Sequence, residues 1–177
     1  MKFIKTKLDS VYLIEPSPYY DNRGLFRRQF CQDEFANRGL MSEIKQTNIS
    51  ENKKKHTLRG FHFQYPPSGE NKVISCIKGS IYNIVLDLRE KSKTYLKWKS
   101  FKLSKENRVS LHVPIGCANA YITLEDDSWI LYHHSEFYSK GNEGNVRYND
   151  PFFKFHWPFE PKVISKKDLN ILDWPNN

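Results

Sequence analysis

Short β-compatible runs, each stopped by proline, glycine or an acidic turn, recur along the chain and leave little room for long helices. Residues 11–14 (VYLI) run into Pro16 and Pro18, and residues 58–63 (LRGFHF) run toward Pro66 and Pro67. Residues 73–77 meet Lys78-Gly79 and residues 81–88 follow at once, the pattern of a hairpin. Residues 109–113 stop at Pro114-Ile115-Gly116, and residues 120–124 and 129–132 flank the acidic turn Glu125-Asp126-Asp127. Helical character is confined to residues 32–39, closed by Gly39, and to the tail after Ser165. The expected fold is all-β, a barrel or jelly roll with a few short peripheral helices.

No internal repeat, low-complexity tract or Gly/Ser linker divides the sequence, so residues 1–177 are expected to form a single domain. No apolar run approaches the ~20 residues of a membrane helix. Lys5 and Lys7 stand where a signal peptide needs its apolar stretch. Cys31, Cys76 and Cys117 are scattered, odd in number and without a CxxC, which speaks against a disulfide framework and against a thiolate zinc site. These features point to the cytoplasm. The formal net charge of +8 suits nucleic acid, an anionic membrane or a phosphorylated small molecule alike. Its densest cluster, Lys53-Lys54-Lys55-His56, is short and set among polar residues, so it reads as a solvated loop. No nucleic-acid motif accompanies it. Neither nucleic acid nor membrane is therefore an expected partner.

In an extended 58–64 segment His62 and Gln64 share one face, while Phe61 and Phe63 share the other. The polar face either lines a barrel lumen or lies in water on an edge strand, and alternation alone does not choose. A metal centre on such a barrel would need two histidines at alternate strand positions, converging with a carboxylate. The second position here is Gln64, and the adjacent His133 and His134 point to opposite faces of a strand. His56, His112 and His156 lack partners at useful spacing. There is no GxSxG elbow, and the eight glycines form neither a P-loop nor a dinucleotide fingerprint. No metal and no cofactor is expected. General acid–base chemistry remains, which needs a base, an acid and a cation for developing negative charge. His62 is the candidate base, Tyr132 or Tyr138 the acid and Lys72 the cation, although spacing does not show that they converge.

An ordered series of blocks carries a resemblance. It begins with Asp21-Asn22-Arg23-Gly24-Leu25-Phe26, continues through Gln46-Thr47-Asn48 and Arg59-Gly60-Phe61-His62-Phe63-Gln64, and takes in Lys72 and Asp87-Leu88-Arg89. It resumes at Val113-Pro114-Ile115-Gly116, Leu131-Tyr132, Glu136-Phe137-Tyr138 and Arg147-Tyr148-Asn149-Asp150-Pro151, and closes at Ile164-Ser165-Lys166-Lys167-Asp168. The set resembles the dTDP-4-dehydrorhamnose 3,5-epimerases and related nucleotide-sugar epimerases over nearly the whole chain. The resemblance implies a metal-free cupin-type jelly roll, usually a homodimer, acting on a nucleotide-diphospho 4-keto-6-deoxy sugar. The 4-ketone acidifies the C3 and C5 protons, so a base forms an enolate and reprotonation from the other face inverts the carbon. By resemblance His62 is the base, Asp168 its supporting carboxylate, Lys72 the cation facing the enolate oxygen and Tyr132 the acid. Arg59 and Arg23 resemble phosphate ligands, with Arg23 and Phe26 contributed across subunits. Gln46, Asn48, Phe26, Tyr138 and Glu143 resemble the nucleotide-binding set.

The chain also departs from the family's pattern. After Pro-x-Gly the family commonly carries histidine where this chain has Asn119, and in the strand after Gly79 it commonly carries aspartate where this chain has Asn83. Both changes are expected to fall near the acid–base site. An amide keeps a donor and an acceptor but cannot change charge near neutrality. Asn119 is therefore expected to narrow the outcome toward inversion at one carbon. A 4-ketosugar isomerase and a catalytically altered sugar-nucleotide-binding cupin stand as alternatives.

Overall fold

The computed structural model describes residues 1–175. In chain order the strands are β1 (Lys2–Lys5), β2 (Tyr12–Glu15), β3 (Tyr19–Asp21), β4 (Gly24–Phe26), β5 (Gln46–Asn52), β6 (Leu58–Gln64), β7 (Lys72–Lys78), β8 (Ser80–Asp87), β9 (Trp98–Ser104), β10 (Ser110–Val113), β11 (Cys117–Thr123), β12 (Ser128–His134) and β13 (Glu143–Asn145). Two short helices, α1 (Gln32–Ala36) and α2 (Lys166–Leu169), complete the set. A six-stranded sheet runs β1-β2-β10-β7-β12-β5 and faces a five-stranded sheet running β13-β6-β11-β8-β9. Every pairing within them is antiparallel. This is the expected all-β jelly roll with small helical additions.

Alternation explains the core. On β7 Ile74 and Cys76 face inward, and Ile81 and Val85 of β8 and Tyr121 of β11 meet them from the other sheet. The opposite face of β8 carries Ile84 and Leu86, which the C-terminal aromatics Phe153, Phe155 and Trp157 cover together with Phe61 and Phe63. Val73, on the outer face of β7, lies under Phe35 of α1. Both faces of the central strands are thus buried, which is why they read as near-continuous apolar runs.

The expected 73–88 hairpin is not formed. β7 and β8 lie in different sheets, and the chain turns from one to the other at Gly79. Gly79 has φ of +69°, and a Cβ there would come within 2.4 Å of the Ser128 Oγ, so the corner requires glycine. Residues 32–39 contain α1, which ends at Ala36, with Gly39 in the left-handed region. The helix expected after Ser165 is α2, with the Ser165 hydroxyl accepting from the Asp168 N–H at 3.0 Å. Lys53, Lys54 and Lys55 are exposed between β5 and β6, as the solvated-loop reading anticipated. No helix among the described residues is long and apolar enough to cross a membrane.

Candidate active site

Between the two sheets, at the end closed by α2, lies a cavity of about 580 Å³, a size ordinary for small-molecule sites. β6 supplies one wall. It is an inner strand of its sheet, so the lumen reading of its polar face holds. Strict alternation would send Arg59 to the same side as Phe61 and Phe63, yet Arg59 lines the cavity beside His62. A bulge causes this. His62 pairs with Asn119 and Arg59 with Tyr121, so two residues of β6 oppose one of β11. The bulge requires Gly60: its φ is +105°, and a Cβ would lie 2.6 Å from the Asn119 carbonyl oxygen.

His62 Nε2 lies 2.8 Å from Asp168 Oδ1. With the Nε2 proton donated to that carboxylate, Nδ1 keeps a lone pair. The imidazole is 44% exposed while the Asp168 side chain is 5% exposed, so the carboxylate is fixed and the ring is reachable. Burial raises the Asp168 pKa, but hydrogen bonds from His62, Ser165 and the Gly60 backbone outweigh it and hold the carboxyl below its ordinary value. α2 therefore has a definite task, delivering one buried carboxylate to β6.

The facing wall comes from β7 and β12. Tyr132 is partly buried in this wall, and burial, with the Tyr121 hydroxyl beside it, pushes its phenol well above the ordinary value. It therefore keeps its proton at neutral pH. The Lys72 ammonium lies 3.0 Å from the His62 carbonyl oxygen, 3.1 Å from Asn119 Oδ1 and 3.4 Å from Glu70 Oε1. Burial lowers its pKa and Glu70 opposes the change. Of the nucleotide-side residues, Asn48, Arg59, Asn119, Tyr138 and Glu143 line the cavity. Gln46 is not in its wall and instead accepts a hydrogen bond from the Tyr138 N–H at 3.0 Å. Arg23 and Phe26 are not at this cavity at all. They lie on the β3–β4 hairpin, where the Arg23 side chain is 84% exposed and Phe26 is 78% exposed. Asn83 does not line the cavity; it is buried between the sheets, paired in register with Tyr121, which does line it.

Sequence reasoning missed Glu70 and His134, which share this wall. His134 Nδ1 lies 2.6 Å from Glu70 Oε2, and the ring stacks on Tyr132 at 5.7 Å. The adjacent His133 points to the other face, where Thr47 Oγ1 lies 3.1 Å from its Nδ1. The expectation that the pair diverges is met, but that argument concerned metal and passed over what His134 could do alone. Among the described residues no group of three or more His, Cys, Asp or Glu side chains is placed to hold a metal ion.

A reachable imidazole steadied by a carboxylate, across a cavity from a phenol that retains its proton, is equipped to remove a proton from carbon and return one from the other side. Fold and site together define a jelly-roll acid–base isomerase. Residues 5–175 match the family model of dTDP-4-dehydrorhamnose 3,5-epimerase. The chain is 34% identical over 171 residues to the enzyme of that name from Shigella flexneri, covering 96% of this chain and 94% of that one. The crystal structure of dTDP-4-dehydrorhamnose 3,5-epimerase from Elizabethkingia anophelis superposes with a TM-score of 0.95 at 33% identity, covering 99% of this chain and 97% of that one. The Bacillus anthracis enzyme, solved with TDP and PPi bound, gives 0.93 at 31% identity, covering 97% and 98%. The chain belongs to the dTDP-4-dehydrorhamnose 3,5-epimerase family and is an isomerase that epimerises a nucleotide-linked sugar.

Proposed function

We propose that this enzyme inverts C3, C5 or both of a nucleotide-diphospho 4-keto-6-deoxy sugar, with His62 as base and Tyr132 as acid. The observation that carries the reading is the His62–Asp168 contact at 2.8 Å, which leaves the half-exposed ring with Nδ1 as its basic atom. His62 Nδ1 takes the proton from the carbon beside the ketone, and the bonding pair moves onto the carbonyl oxygen to give the enolate. Tyr132 then delivers its phenolic proton from the opposite wall. Asp168 steadies the imidazolium, and Lys72 contributes positive charge near the enolate. Arg59, exposed in the cavity and tied by Nε to Asn52 Oδ1 at 2.9 Å, meets the diphosphate. Asn48, Tyr138 and Glu143 flank the nucleotide, with Gln46 holding the Tyr138 backbone.

The whole chain works as a single domain and as a homodimer. Arg23 and Phe26 stand on an exposed hairpin away from their own cavity, which supports their reaching the partner subunit's site. Free Cys31, Cys76 and Cys117 suit a reducing cytoplasm. The test follows the C3 and C5 protons by NMR in D2O, on a panel of dTDP-, CDP- and GDP-linked 4-keto-6-deoxy sugars. Wild type exchanges at least one of them, and His62→Ala loses ~10²–10⁴-fold while remaining folded. Exchange at the wild-type rate in His62→Ala rejects the assignment.

A further inference from the structure

The Lys72 ammonium has three protons, and the protein supplies three acceptors: the His62 carbonyl, Asn119 Oδ1 and Glu70 Oε1, at 3.0, 3.1 and 3.4 Å. Two of these contacts are hydrogen bonds and the third is an ion pair, so its charge reaches the cavity while its N–H groups are drawn toward the protein's own oxygens. Asn119 turns its own oxygen toward Lys72. An enolate formed by His62 therefore needs a hydrogen-bond donor from elsewhere.

His134 meets that need. It is on β12, in the sheet facing His62, and its side chain is 12% exposed at the cavity. The Nδ1–H is taken by Glu70 Oε2 at 2.6 Å, which fixes the ring and leaves Nε2 on the cavity side. Burial raises the Glu70 carboxyl, but His134 and Lys72 outweigh it and keep Glu70 ionised. The other nitrogen, Nε2, faces Asn48 Nδ2 at 3.4 Å, the long limit of a hydrogen bond; that amide N–H donates to a neutral ring, and an Nε2 that carries a proton turns from it to an acceptor in the cavity. The site thus holds two histidine–carboxylate pairs on facing sheets, His62–Asp168 and His134–Glu70.

We propose that His134 is a further catalytic residue, whose imidazolium, fixed at Nδ1 by Glu70, donates Nε2–H to the substrate's carbonyl oxygen as that oxygen takes up the enolate charge. This rests on the function proposed above. As the C–H bond breaks, its proton goes to His62 and its electron pair to the carbonyl, where His134 donates without surrendering its proton. When Tyr132 protonates the carbon, the electron pair returns and the ketone is restored. Other ionisable groups also bear on His134. Glu70 and Lys72 adjoin it from the β7 side, Tyr132 and His133 lie on its own strand, and Lys45, ion-paired to Glu136, gives its backbone N–H to the His134 carbonyl at 2.9 Å. Across the cavity stand His62, Asp168, Glu143 and Tyr138.

The test compares wild type, His134→Asn and Glu70→Gln in the same panel, measuring C3 and C5 exchange and kcat and KM across pH. Asparagine keeps a donor for Glu70 and removes Nε2. His134→Asn is expected to lower kcat and exchange ~10²-fold with KM unchanged. It should also abolish the alkaline limb at which wild type loses a protonated histidine. Glu70→Gln should move that limb to lower pH, because the imidazolium loses its counter-charge. Wild-type exchange in His134→Asn, or a slower variant whose alkaline limb is unmoved, overturns the assignment. If His134→Asn fails to fold, Glu70→Gln decides alone: a shifted limb supports the role and an unmoved one rejects it. Wild type inactive on every substrate overturns the function proposed above as well, whereas active wild type with an indifferent His134→Asn removes this inference only.

Discussion

Tyr132 is the side chain whose loss separates the two halves of the reaction. Its phenol is held protonated by burial beside Tyr121, so it gives a proton only to a strong base such as an enolate carbon. Tyr132→Phe keeps the ring and its stacking on His134 while removing that proton. Enolate formation by His62 should survive in this variant, so one carbon-bound proton still exchanges with D2O while inverted product falls ~10²–10⁴-fold. NMR that resolves exchange from inversion decides the matter, and equal loss of both would mean that the phenol also helps to form the enolate. Most of this site could be read from residue order, because His62, Lys72, Tyr132 and Asp168 lie in recognisable blocks and each lines the cavity. Glu70 and His134 were not legible. Their roles depend on a 2.6 Å contact between residues 64 positions apart, and no local pattern announces such a contact.

At the scale of elements, legibility followed the apolar content of each strand. β7, β8, β10, β11 and β12 bury enough surface to show as apolar runs, whereas β5 (QTNISEN) is an outer strand with polar residues toward the cavity and passed unnoticed. Sheet membership was misread at the β7–β8 corner, since a glycine between two apolar runs marks a hairpin and a sheet-to-sheet turn equally well. The far end of β8 is fixed differently, by a buried carboxylate that gathers the following loop. Asp87 accepts from Arg89 Nε at 2.8 Å, Ser92 Oγ at 2.5 Å and Thr94 Oγ1 at 2.6 Å. Burial alone would raise its pKa, yet these bonds outweigh it and bring the value from 3.8 to about 2. A carboxylate depressed in the folded state binds fewer protons there than in the unfolded chain, so its contribution is complete above pH 3.8 and is lost as pH falls through about 2. The shift corresponds to about 2 kcal/mol. Asp87→Asn should therefore cost about that much in urea unfolding at pH 7, with the gap to wild type closing between about pH 4 and 2. A gap of constant size across that range would show that the carboxylate's charge is not what holds the loop.

For the whole molecule, the decisive question is whether one chain makes a complete site. Tyr19, Tyr20, Leu25 and Phe26 expose 67%, 60%, 41% and 78% of their surface on the β3–β4 hairpin, an apolar patch that a lone chain leaves in water. Among the described residues, Arg23 salt-bridges only to Asp21 of the same hairpin. A homodimer that lays each hairpin over its partner's cavity would cover the patch and bring a guanidinium to the diphosphate, and two-fold symmetry would make the exchange reciprocal. Sequence blocks could suggest this but could not show it, because which subunit a residue serves is a property of the assembly. Complementation of two inactive variants tests it. His62→Ala has an intact hairpin and a dead cavity, while Arg23→Ala combined with Phe26→Ala has an intact cavity and a defective hairpin. Each alone should turn over poorly. Mixed in equal amounts, unfolded and refolded together, they form heterodimers in about half of the molecules, and each heterodimer holds one complete site of two. Recovery to about a quarter of wild-type activity is the expected result. If the hairpin served its own cavity, every site in the mixture would carry one defect, and activity would stay at the level of the separate variants.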